Sequence, residues 1–195
     1  TFNRPNVELA DIKANPIQEI TENAVRVAGK DHEVDAVVLA TGFDAMTGTL
    51  LRLDLRGRGG VRIQDKWSAG PLNYLGLGIA GFPNLFNIAG PGSTSAFTNV
   101  IVSIEHHVDW IVQCAEHMAR QGLATIEATP EAEADWVRHV NAVAERTVYL
   151  TCNSWYLGAN IPGKPRQLLN YPSVVGFAMI CDEVAADGYR GFALA

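Results

Sequence analysis

The stretch LFNIA at residues 85–89, followed by GPGS at 90–93 and TSAFTNVIVSIEHHVDW at 94–110, decides the fold that the sequence predicts. The apolar stretch is typical of a short buried strand, and residues 94–110 are typical of a long helix. Such a join places the unpaired N–H groups and partial positive charge of a helix N-terminus at the end of a strand. The sequence therefore predicts a mixed α/β fold that can hold something electron-rich at this turn.

A second apolar run, DAVVLA at residues 35–40, also ends abruptly, in TGFD at 41–44. A continuous apolar run predicts a central strand of a largely parallel sheet, covered on both faces. Before it, residues 7–9, 17–20 and 24–28 read as short strands, and the alternating pair predicts a hairpin. The hydroxyl, glycine and carboxylate at 41–44 suit a nucleotide site at a strand end, and a hinge without ligand contact is the alternative.

Three helices are predicted after residue 93. The first carries apolar residues at steps of three and four and ends near Gly122, so its apolar face is expected to be buried. That face consists of Ile101, Ile104, Val108, Ile111, Val112, Ala115 and Met118. Thr129 and Pro130 open a second helix that runs to about Val148, and a late helix covers 174–186. Residues 46–81 are expected to be irregular, with one short strand near 61–63.

Composition excludes several classes of protein. The net charge is −6 and the pI is near 5.3, so nucleic acid is not an expected partner. The longest apolar run is broken by proline and asparagine, which excludes a membrane helix, and three unpaired cysteines predict buried thiols in a reducing, cytoplasmic setting. Glu105, His106, His107 and Asp109 are interpreted as a polar helix face, because adjacent histidines on a helix diverge by about 100° and cannot share one metal ion.

Three stretches, in this order, carry a resemblance to a known family. They are ATGFDAMTG at 40–48, the segment at 81–111 that begins GFPNLFNIAGPG, and NSWYLGANIPGK at 153–164. Together they resemble the C-terminal part of the flavin-dependent Baeyer-Villiger monooxygenases. The resemblance implies an α/β piece of a flavoprotein monooxygenase that has two Rossmann-like dinucleotide-binding domains, one for FAD and one for NADP. Residues 1–45 would complete the NADP domain, 46–80 would connect the domains, and 81–195 would complete the FAD domain.

The implied reaction uses NADPH, FAD and O2 to insert one oxygen atom into a ketone, giving an ester or a lactone. The implied partners are a small ketone, O2 and the missing N-terminal part of the same enzyme. Neither of the family's two dinucleotide-binding glycine turns, each of which joins a strand to a helix, is predicted in this sequence. The family's catalytic arginine precedes a segment resembling residues 1–4, so Arg4 does not take its place. The chain is therefore interpreted as a fragment that is inactive alone.

The resemblance also assigns cofactor residues. Gly90, Pro91 and Gly92, with the first helical turn around Thr98, Asn99 and Val100, would support the flavin ring, and an ordinary tight turn is the alternative. Trp155, Asn160 and Lys164 lie in a loop that closes over NADP in the family, and a packed core tryptophan is the alternative. The residues at the end of the predicted strand are expected to lie close to both cofactors, and they are Thr41, Gly42, Phe43 and Asp44. No residue is assigned to a metal.

Two other functions stay open from the sequence. One is a flavin-containing oxygenase that acts on nitrogen or sulfur, against which the tryptophan loop and the ATGFD stretch count. The other is a non-catalytic binding module that lacks its cofactor halves, which the missing glycine motifs favour. The sequence does not specify the ketone or the oligomeric state.

Overall fold

A small antiparallel sheet opens the chain. The computed structural model describes residues 2–94 and 99–195, and in it the strands are β1 (Ile17–Ile20), β2 (Ala24–Val27) and β3 (Lys30–Glu33), in the order β1-β2-β3. β1 pairs antiparallel with β2, and β2 with β3. The predicted hairpin of residues 17–20 and 24–28 is therefore confirmed as β1 and β2. Strand β3 was not predicted, and Val27 of β2 pairs with its Lys30 across a turn at residues 28–29.

The prediction of a strand at residues 34–40 is wrong for this structure. These residues have no regular secondary structure, and Val38 and Leu39 are 86% and 77% exposed. Residues 7–9 are not a strand either. A strand needs a neighbouring strand for its backbone hydrogen bonds. Among the described residues β1, β2 and β3 pair only with one another, so the apolar run has nothing to pair with or to cover it.

The chain divides after Gly42 into two compact units, Thr1–Gly42 and Phe43–Ala195. The larger unit contains the short helices α1 (Gly48–Leu51) and α2 (Ile63–Lys66), and the longer helices α3 (Val100–Gln121), α4 (Pro130–Ala144) and α5 (Val174–Ala186). Strands β4 (Ile126–Ala128) and β5 (Phe192–Leu194) pair antiparallel within it. The mixed α/β prediction is confirmed.

The main core of the larger unit lies where α3, α4 and α5 meet the β4-β5 ribbon. Helix α3 packs against α5, and the Trp110 indole Nε1–H donates to the carbonyl of Cys181 at 3.0 Å. This core includes Leu77, Trp110, Trp136, Leu168 and Phe177. A second cluster of Ile63, Trp67, Ile79 and Phe82 joins α2 to the segment at 79–82.

Helix α3 begins later than predicted. Its N-cap is Asn99, whose side-chain oxygen accepts from the Ile101 N–H at 3.0 Å, and it ends at Gly122 in the left-handed conformation, as predicted. Thr98, assigned to the first helical turn by sequence, lies outside the described residues.

The strand predicted at residues 85–89 is reduced to a single bridge between Phe86 and Gly78. Ala89 has a φ of 53°, in the left-handed region, so the chain cannot continue as an extended strand there. The strand predicted near 61–63 is likewise a single bridge, between Arg56 and Arg62, because α2 begins at the next residue.

The buried face of α3 is not the predicted one. The helix buries Ser103, His107, Trp110 and Cys114, while Ile104, Ile111 and Met118 are only partly buried. The remaining predicted core residues are exposed, namely Ile101, Val108, Val112 and Ala115. The helix has apolar residues on two faces. Elements of this chain cover one of them, and none of the described residues covers the other.

Helix α4 begins as predicted and ends earlier. The Thr129 hydroxyl accepts from the Ala132 N–H at 3.2 Å and Pro130 is the first helical residue, but the helix ends at Ala144. A short 3₁₀ turn at Val148–Thr151 replaces the predicted end. One turn into α4, the buried Glu133 accepts from the Ala80 N–H at 2.6 Å and from Lys66 Nζ at 2.8 Å. This carboxylate ties residues 46–81 to the main core.

None of the helices within residues 2–94 and 99–195 combines the length and the apolar character that crossing a membrane requires. The three cysteines are free thiols, of which Cys114 and Cys181 are buried as predicted and Cys152 is exposed. The late helix occupies 174–186, the range that the sequence predicts.

Candidate functional site

Residues 41–44 straddle the boundary between the two units. Thr41 and Gly42 are exposed and lack regular secondary structure at the end of the smaller unit, and Phe43 is exposed at the start of the larger one. Asp44 is partly buried and forms an ion pair with the Lys164 ammonium. Its carboxylate also accepts from the Thr47 hydroxyl at 3.3 Å. The structure thus brings together residues of two sequence-predicted segments, Asp44 and Lys164.

The tryptophan loop, defined here as residues 153–165, is irregular apart from a 3₁₀ turn at Trp155–Leu157. The Ser154 hydroxyl caps this turn by accepting from the Tyr156 N–H at 3.2 Å. Trp155 is 38% exposed and stacks on Tyr156 with ring centroids 4.2 Å apart. The indole is therefore not the packed core tryptophan of the alternative interpretation.

A second side chain fastens the tryptophan loop to the same segment. The Asn160 amide Nδ2 donates to the carbonyl of Phe43 at 3.2 Å. Beyond the loop, the Gln167 N–H donates to the Leu157 carbonyl at 3.2 Å and the Leu169 N–H donates to the Tyr156 carbonyl at 2.8 Å. Backbone hydrogen bonds therefore hold one side of the loop and side chains hold the other.

The segment after the loop also meets the glycine turn at 90–93. The Gly92 N–H donates to the Leu169 carbonyl and the Tyr171 N–H donates to the Ser93 carbonyl, both at 2.8 Å. One hydrogen-bonded layer of the larger unit thus contains residues 156–157, 167–171 and 92–93. The turn at 90–93 and the tryptophan loop, separate in sequence, are held to opposite sides of one short segment.

The glycine turn is buried, and its packing accounts for its glycines. A Cβ at Gly90 would collide with the backbone of Gly76, which approaches closely in this fold. Gly92 has a φ of 79° and lies against the indole of Trp136. The Ser93 hydroxyl closes the turn by donating to the Gly90 carbonyl at 2.7 Å. These contacts give the turn a fixed shape, and contact of Gly90, Pro91 or Gly92 with a cofactor stays a prediction.

The N-terminus of α3 is exposed at Asn99, Val100 and Ile101. No acidic residue lies in the first turn of this 22-residue helix, so its partial positive charge is not offset locally by a carboxylate. An apolar tip that carries positive potential suits a flat aromatic group with an electron-rich edge.

His107 is a buried residue that the sequence analysis placed on a polar helix face. Its Nδ1 accepts from the Ala89 N–H at 2.9 Å, and its side chain is fully buried. Burial, with a smaller effect of His106, lowers the pKa of His107 to about 4. The ring is therefore neutral near pH 7 and fixes the chain just before Gly90. Its spacing from Ser103, Trp110 and Cys114, four and then three residues apart, is the sequence signal that could have placed it on the buried face.

A cavity of about 280 Å³ lies beside the Asp44–Lys164 pair. One wall is the end of the tryptophan loop at residues 161–165, and the others are the α1 region and the segment from Trp67 to Pro71. Among residues 2–94 and 99–195, no three His, Cys, Asp or Glu side chains lie close enough together to hold a metal ion.

The fold is mixed α/β, and it is similar to one part of solved monooxygenase structures. The chain superposes over its whole length on a closed crystal structure of cyclohexanone monooxygenase, with a TM-score of 0.90 and 45% identity, and it covers 36% of that chain. It also superposes on the OTEMO complex with FAD and NADP, with a TM-score of 0.88 and 38% identity, and covers 36% of that chain. The predicted fold class is confirmed.

The sequence relatives are monooxygenases as well. The chain is 44% identical over 96% of its length to a Baeyer-Villiger monooxygenase of Pseudooceanicola batsensis, of which it covers 34%. It is 39% identical over its whole length to phenazine N-monooxygenase PhzNO1 of Lysobacter antibioticus, of which it covers 36%. No family model matches the chain. The predicted resemblance to the Baeyer-Villiger monooxygenases is thus confirmed, and the chain spans about a third of the length of the curated relatives it matches.

An open crystal structure of cyclohexanone monooxygenase also matches the whole chain, with a TM-score of 0.80 and 40% identity, and the chain covers 34% of it. Solved structures similar to this chain therefore include forms described as closed and as open, and the TM-score is higher for the closed form.

Proposed function

We propose that this chain is part of an FAD- and NADPH-dependent monooxygenase that inserts one oxygen atom of O2 into ketones to give esters or lactones. The observation that carries the proposal is the match of nearly the whole chain, at 44% identity, to a Baeyer-Villiger monooxygenase. In this proposal residues 1–45 complete the NADP domain, 46–80 connect the domains, and 81–195 complete the FAD domain. A cytoplasmic location stays a prediction.

The remaining two thirds of the relatives' fold is the proposed partner of this chain. Exposed apolar side chains in two places support this proposal. On α3 and α5 the apolar side chains of Ile101, Val108, Val112, Val175 and Met179 are exposed, and in the smaller unit the apolar run at 37–39 is exposed as well. Several exposed apolar side chains on one element are typical of a contact region. We propose that both surfaces pack against the part of the fold that this chain does not contain.

The N-terminus of α3 fits the flavin ring of FAD. When bound, FAD supplies the redox chemistry by accepting hydride from NADPH and passing electrons to O2. The exposed side chains of Val100 and Ile101 offer an apolar contact, and the helix dipole, not offset by an acidic residue, stabilises negative charge on the ring edge. Asn99 caps the helix, and Gly90, Pro91 and Gly92 hold the backbone that leads to it.

The tryptophan loop fits the second cofactor. Trp155 offers an exposed aromatic face and an indole N–H, and Asn160 holds the loop against the segment at 43–45. We propose that Trp155 covers NADP and excludes water, and that Thr41, Gly42, Phe43 and Asp44 lie at the edge of the same site. Lys164 acts there through Asp44, because its charge is already paired.

The direct test is expression of the complete reading frame in which this chain lies. The purified protein is expected to be yellow, to oxidise NADPH faster when cyclohexanone is added, and to release a lactone that mass spectrometry detects. A colourless protein, or NADPH oxidation without oxygenated product from any ketone tested, would contradict the proposal.

Nitrogen oxygenation is the second candidate, since a phenazine N-monooxygenase matches this chain along its whole length at 39% identity. The same assay separates the two functions. A heteroaromatic amine that stimulates NADPH oxidation and gives an N-oxide, with no response to ketones, favours this candidate.

A single substitution tests the assignment of the tryptophan loop. Trp155→Ala in the complete enzyme is expected to raise KM for NADPH and to lower turnover by about tenfold, because about 1.4 kcal/mol of binding free energy corresponds to a factor of ten. FAD content, measured from the flavin absorbance after denaturation, is expected to stay at the wild-type level. Loss of FAD with unchanged KM for NADPH would contradict the assignment. Tyr149→Ala, which removes a neighbouring aromatic ring outside the loop, is the matched control.

A further inference from the structure

An ion pair joins Asp44 and Lys164, which lie 120 positions apart in the sequence. The side chain of Lys164 is 11% exposed and that of Asp44 is 27% exposed. Lys164 Nζ also lies 3.4 Å from the carbonyl oxygen of Ala45, which provides a second acceptor. Because water is largely excluded, the attraction between the two charges is screened much less than in an exposed pair.

The surrounding backbone is shaped for this pair. A Cβ at Gly48 would lie 2.7 Å from Cβ of Asp44, and a Cβ at Gly158 would lie 3.0 Å from the aliphatic stem of Lys164. The Thr47 hydroxyl and the Gly48 N–H bond to the carboxylate and the carbonyl of Asp44, respectively. Each partner thus lies against a glycine, where any other residue would need the partner to move.

The pair fastens the side of the tryptophan loop that faces residues 43–45. Towards residues 43–45 the loop is held by the Lys164 ammonium and by one hydrogen bond from Asn160. On its other side, backbone hydrogen bonds to residues 167–169 and the buried Leu157 hold it in the core. The pair also lines the 280 Å³ cavity, whose outer wall is the end of the loop. Separation of the pair would free that wall while the core side stays in place.

We propose that Asp44 and Lys164 form a latch that fastens the tryptophan loop to residues 43–45 and so positions Trp155. They are positioning residues, since they act through the loop. The fastening itself is a property of this chain, and only its role in covering NADP rests on the proposed function. Removal of one partner leaves an uncompensated, largely buried charge, so either single neutralisation opens the latch, whereas removal of both charges opens it less.

The test is a double-mutant cycle in the 195-residue chain. The variants are Asp44→Asn, Lys164→Met and the double variant, and the readout is limited proteinase K cleavage within residues 158–163, mapped by mass spectrometry. Each single variant is expected to be cleaved at least about fivefold faster than the wild type, because cleavage reports the population of the open loop. The double variant is expected to be cleaved more slowly than the product of the two single effects predicts.

Two further variants serve as controls. Lys164→Arg keeps the charge and is expected to restore protection to near the wild-type level. Arg138→Met breaks the exposed pair with Asp135 on α4 and is expected to leave the cleavage rate unchanged. Amide hydrogen exchange of peptides from 152–165, compared with peptides from α4, gives a local readout even where a variant lowers the stability of the whole chain.

Wild-type cleavage rates in both single variants would overturn the latch, and so would single effects that multiply in the double variant. Equal gains in exchange for the loop and for α4 would overturn it as well. In the complete enzyme, Lys164→Met is expected to raise KM for NADPH and to leave FAD bound. If proteolysis confirms the latch but the complete enzyme does not oxidise ketones, the latch stands and the proposed function is refuted. If the enzyme oxidises ketones but proteolysis shows no latch, the proposed function stands and the latch is refuted.

Discussion

The two units of this chain use apolar residues in opposite ways. In the larger unit, Leu77, Trp110 and Phe177 are buried in a continuous core between α3, α4 and α5. In the smaller unit, the apolar run at 36–40 is exposed and every residue of β1 is exposed. The difference teaches that an apolar run marks a buried segment only where the chain also supplies the elements that cover it. The units are therefore expected to respond differently to the same substitutions.

The largest difference is expected from one substitution made in both units. Leu77→Ala removes a fully buried side chain from the core and is expected to lower the free energy of unfolding by about 2–5 kcal/mol. Leu39→Ala removes an exposed side chain and is expected to change it by less than about 0.5 kcal/mol. Urea denaturation followed by circular dichroism measures both values.

The same two variants can also contradict the proposed difference between the two units. A cost for Leu39→Ala that approaches that of Leu77→Ala would show that residues 36–40 are covered in the isolated chain. In the complete enzyme we expect Leu39→Ala to become costly, because the proposed remainder of the fold would then bury it. A cost that stays negligible in the complete enzyme would contradict that proposed contact.

The helices could be predicted from sequence and the longer strands could not. Helix α5, the start of α4 and the end of α3 are encoded within a few residues, the start of α4 by Thr129 and Pro130 and the end of α3 by Gly122. The predicted hairpin of β1 and β2 is also local. Residues 34–40 and 85–89 have the composition of strands, but strand formation depends on distant partners, which a pattern along one segment does not contain.

The candidate site shows the same limit. Residue chemistry singled out Asp44 and Lys164 separately, yet their pairing depends on how the tryptophan loop folds back on residues 43–45. His107 was misplaced because the helical face that is buried depends on the position of α5, and the apolar residues of α3 indicated another face. The glycine turn was recognised, but its burial against Gly76 follows from the tertiary fold alone.

A change of pH is expected to have a smaller effect on the free energy of unfolding. The effect comes from the buried histidine of the larger unit, and a substitution of His32 in the smaller unit serves as the comparison. The pKa of His107 is lowered to about 4 by burial. The folded state therefore favours the neutral ring, so its contribution is fully present above the unfolded pKa and is lost as the pH falls through the folded one. The loss is expected to be about 3 kcal/mol, since one pKa unit is about 1.4 kcal/mol.

The measurement is the free energy of unfolding between about pH 7 and about pH 4, in the wild type and in His107→Asn. Asparagine places an acceptor near the position of Nδ1, so the Ala89 N–H keeps a partner while the titrating group is removed. The variant is expected to lose this part of the pH dependence, and His32→Asn in the smaller unit is expected to retain it. Equal pH dependence in His107→Asn and the wild type would refute the assignment.

The smallest expected effect is a gain in stability in the smaller unit. The turn between β2 and β3 has positive φ values at both central residues, 51° at Ala28 and 77° at Gly29. This is the type I′ geometry that favours Asn-Gly, and alanine in the left-handed region is strained by about 1 kcal/mol. Ala28→Asn is therefore expected to stabilise the hairpin by about 0.5–1 kcal/mol, measured as slower amide exchange in residues 24–33. Ala14→Asn, on the same unit, controls for the change in polarity. Unchanged exchange in the hairpin would mean that tertiary contacts, and not the turn, limit its opening, which would make the smaller unit more like the larger one than its exposed surface indicates.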